Sequence, residues 1–194
     1  MKTVVVTGGM GSGKSAVCRI LGERGIPVYD SDARTKALYN ELPDLIPTLE
    51  KALDLSLRLP DGALDKSKLA ARIFSDQSAR ETLESIVYPL VKEDFLAWRS
   101  RQKDVPFVVL ESAVVLSKPL FADVIDAVVL VEAPDEVRVR RVMDRDGLSR
   151  EQILGRLAAQ PAVRASVVIE NAGSLSELEN AVDQAFFRQK CLSL

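Results

Sequence analysis

The stretch of sequence that decides the fold is Gly8-Gly9-Met10-Gly11-Ser12-Gly13-Lys14-Ser15. It matches the pattern G-x-x-x-x-G-K-[ST] in full, and it lies between a valine-rich run at 2–7 and a segment with helical spacing at 16–24. In that context the glycines let the backbone N–H groups turn toward phosphate oxygens, and the following helix adds the partial positive charge of its N-terminus. The stretch therefore predicts a P-loop that binds a nucleoside triphosphate, with Lys14 bridging the β- and γ-phosphates and Ser15 ligating Mg²⁺.

Composition and charge place the chain among ordinary globular proteins. Its 194 residues are 47% hydrophobic and 28% charged, with 10 glycines and 9 prolines, which excludes collagen-like, low-complexity and largely disordered classes. The net charge is −2, so no general electrostatic binding of nucleic acid or of an anionic membrane is expected. The length favours a single domain with insertions.

The chain contains no histidine. This excludes Ser-His-Asp and Cys-His relays and every histidine-ligated metal site. Cys18 and Cys191 lie near opposite ends and form neither a C-x-x-C pair nor a disulfide framework, which favours a reducing compartment. With neither a signal-peptide pattern nor a membrane-spanning stretch, we expect a cytoplasmic protein.

Short β-branched runs alternate with longer helical segments, which indicates βα units on a parallel sheet with both faces covered. We therefore expect an α/β fold of three layers with a five-stranded parallel sheet. The predicted strands are Lys2–Thr7, Pro27–Asp30, Phe107–Glu111, Ala127–Glu132 and Ser166–Glu170.

The interval from Ser31 to about Asp104 carries mostly helical spacing, and it is long enough to form an acceptor-binding insertion. Further on, Ser149 with Gln152 and Ser174 with Glu177 each fit a capping box. Helices should therefore begin near Arg150 and Leu175. The last segment, 186–194, is expected to be a helix end with a short tail.

Carboxylates end two of the predicted strands. Asp30 and Asp32 follow the second strand, and the carboxyl ends of parallel strands line the ligand crevice. One of them could accept a proton from an attacking hydroxyl while the other orients Mg²⁺. Alternatively, Asp32 caps a helix that starts near Ala33, which is compatible with catalysis. Glu111 ends the third strand in the manner of a Walker-B carboxylate, or simply faces solvent.

Four arginines fall within eight residues, at 138, 140, 141 and 145. On a helix, Arg138, Arg141 and Arg145 share one face, so a lid could bring guanidinium groups onto transferring phosphates. An ordinary salt-bridged, solvated helix face is the alternative. Asn171-Ala172-Gly173 is either a turn that lies against an adenine or a plain turn.

Together these residues resemble one family, dephospho-CoA kinase, which belongs to the P-loop kinases similar to nucleoside monophosphate kinases. The resemblance covers nearly the whole chain, in matching order and spacing. Its motifs are the stretches at 7–15, 25–32, 62–65, 73–74, 83–91, 141–149, 159–160 and 169–174.

The resemblance implies phosphorylation of the ribose 3′-hydroxyl of dephospho-CoA by ATP with Mg²⁺, giving CoA and ADP in the last step of CoA biosynthesis. It implies one domain over 1–194, with a core at 1–31, 105–137 and 151–194, a helical CoA-binding insertion at about 32–104 and a lid at about 138–150. Catalysis would depend on Asp32 as general base with Lys14, Arg141 and Arg145. The nucleotide would contact residues 8–15, Arg141 and 171–173, and the acceptor would contact Asp30, Asp32, Tyr88 and Glu111.

This chain departs from the family pattern at two places. The family usually carries histidine where this chain has Tyr88, which can donate a hydrogen bond but cannot carry positive charge. The family's P-L-L-F-E segment is replaced by Ala113-Val114-Val115-Leu116-Ser117. Two other functions remain open: a P-loop kinase for a nucleoside or nucleotide, or a nucleotide-binding protein without kinase activity. A monomer is expected.

Overall fold

The computed structural model describes residues 1–158 and 162–188. Five parallel strands form one sheet in the order β2-β3-β1-β4-β5. Their bounds are β1 Lys2–Gly8, β2 Val28–Asp30, β3 Phe107–Glu111, β4 Ala127–Glu132 and β5 Val167–Glu170. The predicted α/β class and parallel sheet are confirmed.

Valine-rich central strands explain the core of this sheet. All five residues of β3 are buried, and so are Val4, Val5 and Val6 of β1. Burial on both faces is expected for a parallel sheet that helices cover on each side. β1 lies between β3 and β4, so the loop after it begins at the centre of the sheet's carboxyl edge.

The chain divides into two compact units. One comprises Met1–Asp30 and the described residues from Gln102 onward, and it contains the sheet. Its helices are α1 Lys14–Glu23, α6 Asp135–Asp146, α7 Arg150–Ala158 and α8 Leu175–Asp183, with 3₁₀ turns at Val115–Ser117 and Pro119–Val124 and a π-helical segment at Gln184–Arg188.

The other unit comprises Ser31–Arg101 and is mainly helical. Its helices are α2 Ser31–Glu41, α3 Leu45–Leu53, α4 Lys66–Ser75 and α5 Gln77–Ser100. The connection from α3 to α4 contains a turn around Gly62, which is closed by a hydrogen bond from Leu59 N–H to the Ala63 carbonyl at 2.8 Å. In α5, Pro89 lies inside the helix, directly after Tyr88.

Both predicted capping boxes are present. Ser149 N–H donates to Gln152 Oε1 at 3.0 Å and Gln152 N–H donates to Ser149 Oγ at 3.3 Å, and the corresponding pair joins Ser174 and Glu177. These reciprocal bonds satisfy orphan amides of the first turn, so α7 and α8 begin at Arg150 and Leu175 as predicted.

The second predicted helix starts earlier than expected. We expected it near Ala33 with Asp32 as a possible cap, but α2 begins at Ser31, directly after β2. Asp32 therefore lies inside the first turn, where a negative charge is favoured by the helix dipole, and not at the cap. β2 begins one residue later than predicted, at Val28, since Pro27 has no N–H to donate. β5 begins at Val167, one residue after the predicted Ser166.

Some sequence features fall outside the described residues: Cys191, the pair Ala159-Gln160 and most of the predicted C-terminal tail. Among the described residues, no helix is long and apolar enough to cross a bilayer.

Loss of the Ser174 cap should destabilise the sheet-containing unit. The Ser174→Ala variant leaves the N–H of Glu177 without its partner Oγ, which costs about 1 kcal/mol of unfolding free energy. Urea denaturation measures this. Ser117→Ala is the matched control, since the exposed Ser117 hydroxyl only donates to the Val114 carbonyl at the end of a 3₁₀ turn, and its cost should stay below about 0.5 kcal/mol. Equal costs for the two variants would contradict the role of the box.

Candidate active site

The loop between β1 and α1 has the backbone conformation of a P-loop. β1 ends at Gly8, Ser12 N–H donates to the Gly9 carbonyl at 3.1 Å, and α1 begins at Lys14. Gly13, the N-cap of α1, has φ 95°, in the left-handed region that favours glycine. The expected strand, loop and helix are therefore all present.

A single carboxylate joins the two chemically important side chains of the loop. The Lys14 ammonium lies 3.0 Å from Glu111 Oε1, and the Ser15 hydroxyl donates to the same oxygen at 2.8 Å. Glu111 is the last residue of β3, in register with Val6 of β1 and Asp30 of β2, and its side chain is 9% exposed. The parallel pairing thus brings Glu111 to the loop, with Asp30 one strand away.

The Cys18 thiol is buried beside the same carboxylate. Burial, followed by the charge of Glu111 and a hydrogen bond to it, raises the pKa of this thiol well above its usual range. The thiol therefore stays protonated and does not act as a nucleophile. No motif in the sequence indicates this proximity, although Cys18 lies one helical turn after Lys14 and Ser15.

Two of the clustered arginines contact the loop from α6. Arg138 Nε donates to the Met10 carbonyl at 3.0 Å, and Arg141 Nη1 approaches the carbonyls of Gly11 and Ser12, each at 3.4 Å. Arg145 is turned elsewhere: its guanidinium binds both carboxylate oxygens of its neighbour Asp146, at 2.7 and 2.8 Å. The structure thus brings Arg138 and Arg141, but not Arg145, to the loop.

Asn171 contacts the loop from the other side. It follows β5, is buried, and donates from Nδ2 to the Ser12 carbonyl at 2.8 Å while its Oδ1 accepts from Arg141 Nη2 at 3.3 Å. Ala172 and Gly173 are exposed and precede the α8 capping box. Sequence reasoning placed 171–173 beside an adenine and missed the contact between Asn171 and the loop.

Asp32 and Tyr88 belong to the helical unit. Asp32 is exposed in the first turn of α2, and Tyr88 is half-buried in α5. Burial, and then the negative charges of Glu84 and Asp32, raise the pKa of Tyr88 to about 12. The phenol is therefore a neutral hydrogen-bonding group at physiological pH, and the structure brings the two predicted acceptor residues into electrostatic range.

A P-loop at the centre of a parallel sheet, with a carboxylate on the adjacent strand and a helical insertion after β2, defines an α/β protein of the P-loop class. The sequence model of one kinase family, described as dephospho-CoA kinase, matches residues 2–177. The chain belongs to the dephospho-CoA kinase family.

Individual relatives agree with this membership. The chain is 41% identical to the dephospho-CoA kinase of Porphyromonas gingivalis over 82% of this chain and 78% of that protein. It is 36% identical to the dephospho-CoA kinase of Geobacter sulfurreducens, over 97% and 99% of the two chains. Among solved structures, a crystal structure of a Thermus thermophilus protein matches with a TM-score of 0.80 and 37% identity, covering 95% of each chain.

The packing of Asn171 against the loop can be tested by adding a methyl group to Gly13. A Cβ on Gly13 would overlap the Asn171 side-chain amide, and φ is left-handed there. Gly25 has a similar φ of 79° but open space around it, so Gly25→Ala should cost only the backbone penalty of about 1 kcal/mol. Gly13→Ala should lose about 1–3 kcal/mol more of unfolding free energy, as judged by urea denaturation.

The control for this comparison is a double-mutant cycle. Asn171→Ala removes the group that the new Cβ would overlap. In that background, the cost of Gly13→Ala should fall toward the cost of Gly25→Ala. The same cost in both backgrounds would show that Asn171 does not pack against Gly13.

Proposed function

We propose that this protein transfers the γ-phosphoryl group of ATP to the ribose 3′-hydroxyl of dephospho-CoA, giving CoA and ADP in the last step of CoA biosynthesis. Family membership supports the choice of acceptor. The observation that carries the chemistry is the convergence of Lys14 and Ser15 on Glu111 at the head of α1. A cytoplasmic monomer agrees with a kinase of small metabolites, and the oligomeric state stays a prediction.

ATP would bind with its triphosphate in the loop at 8–15. The amides of the loop and the N-terminus of α1 favour the phosphate charges, and the Lys14 ammonium would exchange Glu111 for the β- and γ-oxygens. Arg141 already lies against the carbonyls of Gly11 and Ser12, which supports a role beside the nucleotide. Asn171 would hold the loop, with 172–173 near the adenine.

The donors beside Lys14 suit a magnesium ion. The Ser15 hydroxyl and the Glu111 carboxylate provide two hard oxygen ligands, 2.8 Å apart. Residues 1–158 and 162–188 contain no cluster of three or more His, Cys, Asp or Glu side chains that could hold a metal ion. Mg²⁺ is usually held by phosphates, waters and one or two protein oxygens. Ser15 would be the ligand, and Glu111 would accept from the water shell. When bound, the ion neutralises charge that develops on the phosphate oxygens.

Asp32 would accept the proton of the attacking 3′-hydroxyl. Its support is its position in the chain, two residues after the carboxyl end of β2, together with its exposed carboxylate. Tyr88, whose phenol is neutral, would donate a hydrogen bond to the acceptor ribose in place of the family's histidine. Asp30 and Glu111 would contact the acceptor or order the water around the phosphates.

Replacing the base should separate transfer from ATP binding. The Asp32→Asn variant should lower kcat for dephospho-CoA by about 10²–10⁴-fold, since an amide cannot accept the proton, and should leave the KM for ATP nearly unchanged. A coupled assay of ADP release measures both. Asp44→Asn is the control, because Asp44 is an exposed carboxylate of the same unit that makes no side-chain cap, and it should keep normal turnover.

Two outcomes would contradict this assignment. Full turnover of Asp32→Asn at saturating dephospho-CoA would show that Asp32 is not the base. Loss of turnover in Asp30→Asn, with Asp32→Asn active, would move the role to Asp30. Phosphorylation of nucleosides or nucleotides only, or ATP binding without transfer, would favour the alternative functions.

The lid role of Arg145 predicts a kinetic change without a change in folding. Arg145 is 64% exposed and paired with Asp146, so it would exchange a carboxylate for the phosphates of ATP. Arg145→Ala should raise the KM for ATP or lower kcat by about 10–100-fold, with an unchanged melting temperature. Arg140→Ala, an exposed arginine off that face of the same helix, is the control. Wild-type kinetics for Arg145→Ala would remove Arg145 from the catalytic set.

A further inference from the structure

Arg34 forms a doubly forked ion pair in the helical unit. Toward Asp94 it donates from Nε and Nη2, each at 2.9 Å, and toward Glu41 it donates from Nη1 and Nη2 at 3.0 and 2.8 Å. Both carboxylates are therefore bound in a two-point geometry. This arginine belongs to none of the motifs that the sequence analysis singled out.

The two partners connect different parts of the unit. Asp94 lies in α5, sixty positions along the chain from Arg34, and Glu41 is the last residue of α2 itself. Arg34 therefore links the first turn of α2 to α5, and it also links that turn to the last residue of α2. The same first turn carries Asp32, and α5 also carries Tyr88.

This geometry differs from an ordinary surface ion pair. Exposed pairs contribute about 0–1 kcal/mol because long side chains must be ordered for a screened attraction. A planar guanidinium that binds two carboxylates loses less rotamer freedom per hydrogen bond than a flexible ammonium does. Its fork also fixes the orientation of the carboxylates that it binds. The Asp94 side chain is 19% exposed and the Arg34 side chain 34%, so water reaches this pair only in part, whereas the Glu41 side chain is 51% exposed.

We propose that Arg34 is a positioning residue for the phosphoryl transfer: by holding the first turn of α2 against α5, it fixes the direction in which Asp32 presents its carboxylate. This rests on the proposed function, in which Asp32 is the base. Displacement of a catalytic group by about 1 Å can cost about 10²-fold in rate, so such a clamp would matter to kcat. A lysine would keep the charge but lose the fork.

The first test compares two arginines of the same unit. Arg34→Lys should lower kcat by about 10-fold with little change in the KM for ATP, since the base is misdirected while the P-loop is untouched. Arg72→Lys is the matched control. Arg72 forms an ion pair at 2.6 Å with Asp76, one helical turn further along the chain, and the exposure of this pair is similar. The Arg72→Lys variant should keep normal turnover. Wild-type kcat for Arg34→Lys would overturn the proposal.

A double-mutant cycle separates positioning from general stability. If Arg34 acts through Asp32, then Arg34→Lys in the Asp32→Asn background should change the residual turnover by less than about 2-fold. The same loss in both backgrounds would show that Arg34 does not act through Asp32, and would overturn the proposal. Assays are run well below the melting temperature of each variant.

Hydrogen exchange tests the clamp without any substrate. Arg34→Lys should speed amide exchange in the segment 31–41, whereas Arg72→Lys should leave that segment unchanged. Unchanged exchange in Arg34→Lys would overturn the clamp whatever the kinetics. Absence of dephospho-CoA phosphorylation by the wild-type protein would instead refute the proposed function, and exchange would then decide the clamp independently.

Discussion

The arrangement of the catalytic loop depends on one buried carboxylate. Glu111 ends β3, next to the strand that leads into the P-loop, and it binds the Lys14 ammonium and the Ser15 hydroxyl. An unpaired charge in this position would cost several kcal/mol, so the carboxylate and its donors require one another. Both donors lie on the first turn of α1, which means that Glu111 fixes the start of that helix as well as the side chains.

A second set of contacts satisfies the other side of the loop. The carbonyls of Met10, Gly11 and Ser12 are approached by Arg138, Arg141 and Asn171 from two different elements. These side chains satisfy the carbonyls of the loop, and the Ser12 N–H is itself bonded to the Gly9 carbonyl. The absence of a Cβ at Gly13 is part of the same arrangement, since the Asn171 amide occupies that space. Protein contacts therefore fix the conformation of the loop on this side, and in the proposed function its remaining amides would face the phosphates.

Sequence reasoning predicted what is encoded locally. β3 and β4 were predicted with the observed bounds because runs of valine mark buried parallel strands, and α7 and α8 begin where their capping boxes place them. Contacts between distant residues were less predictable. The pairing of Asn171 with Ser12 spans 159 positions and that of Arg34 with Asp94 spans 60, so both follow from topology and no local pattern indicates them. The start of α2 was misplaced by two residues because β2 passes into the helix without a loop, although Asp30, Ser31 and Asp32 are residue types that favour turns and caps.

The absence of histidine limits how this protein can control its chemistry. No side chain in the sequence has an ordinary pKa between pH 5 and 8, and Tyr88, with its pKa raised, stays neutral where the family usually has a titrating group. Titration of a histidine therefore cannot switch the site. In the proposed function the partner of each fixed charge would change instead: Lys14 would pass from Glu111 to phosphate, and Arg145 from Asp146 to phosphate. Both exchanges would replace a carboxylate by a more highly charged oxyanion, so the binding of ATP itself would provide their driving force, while the proton of the attacking hydroxyl would pass to Asp32.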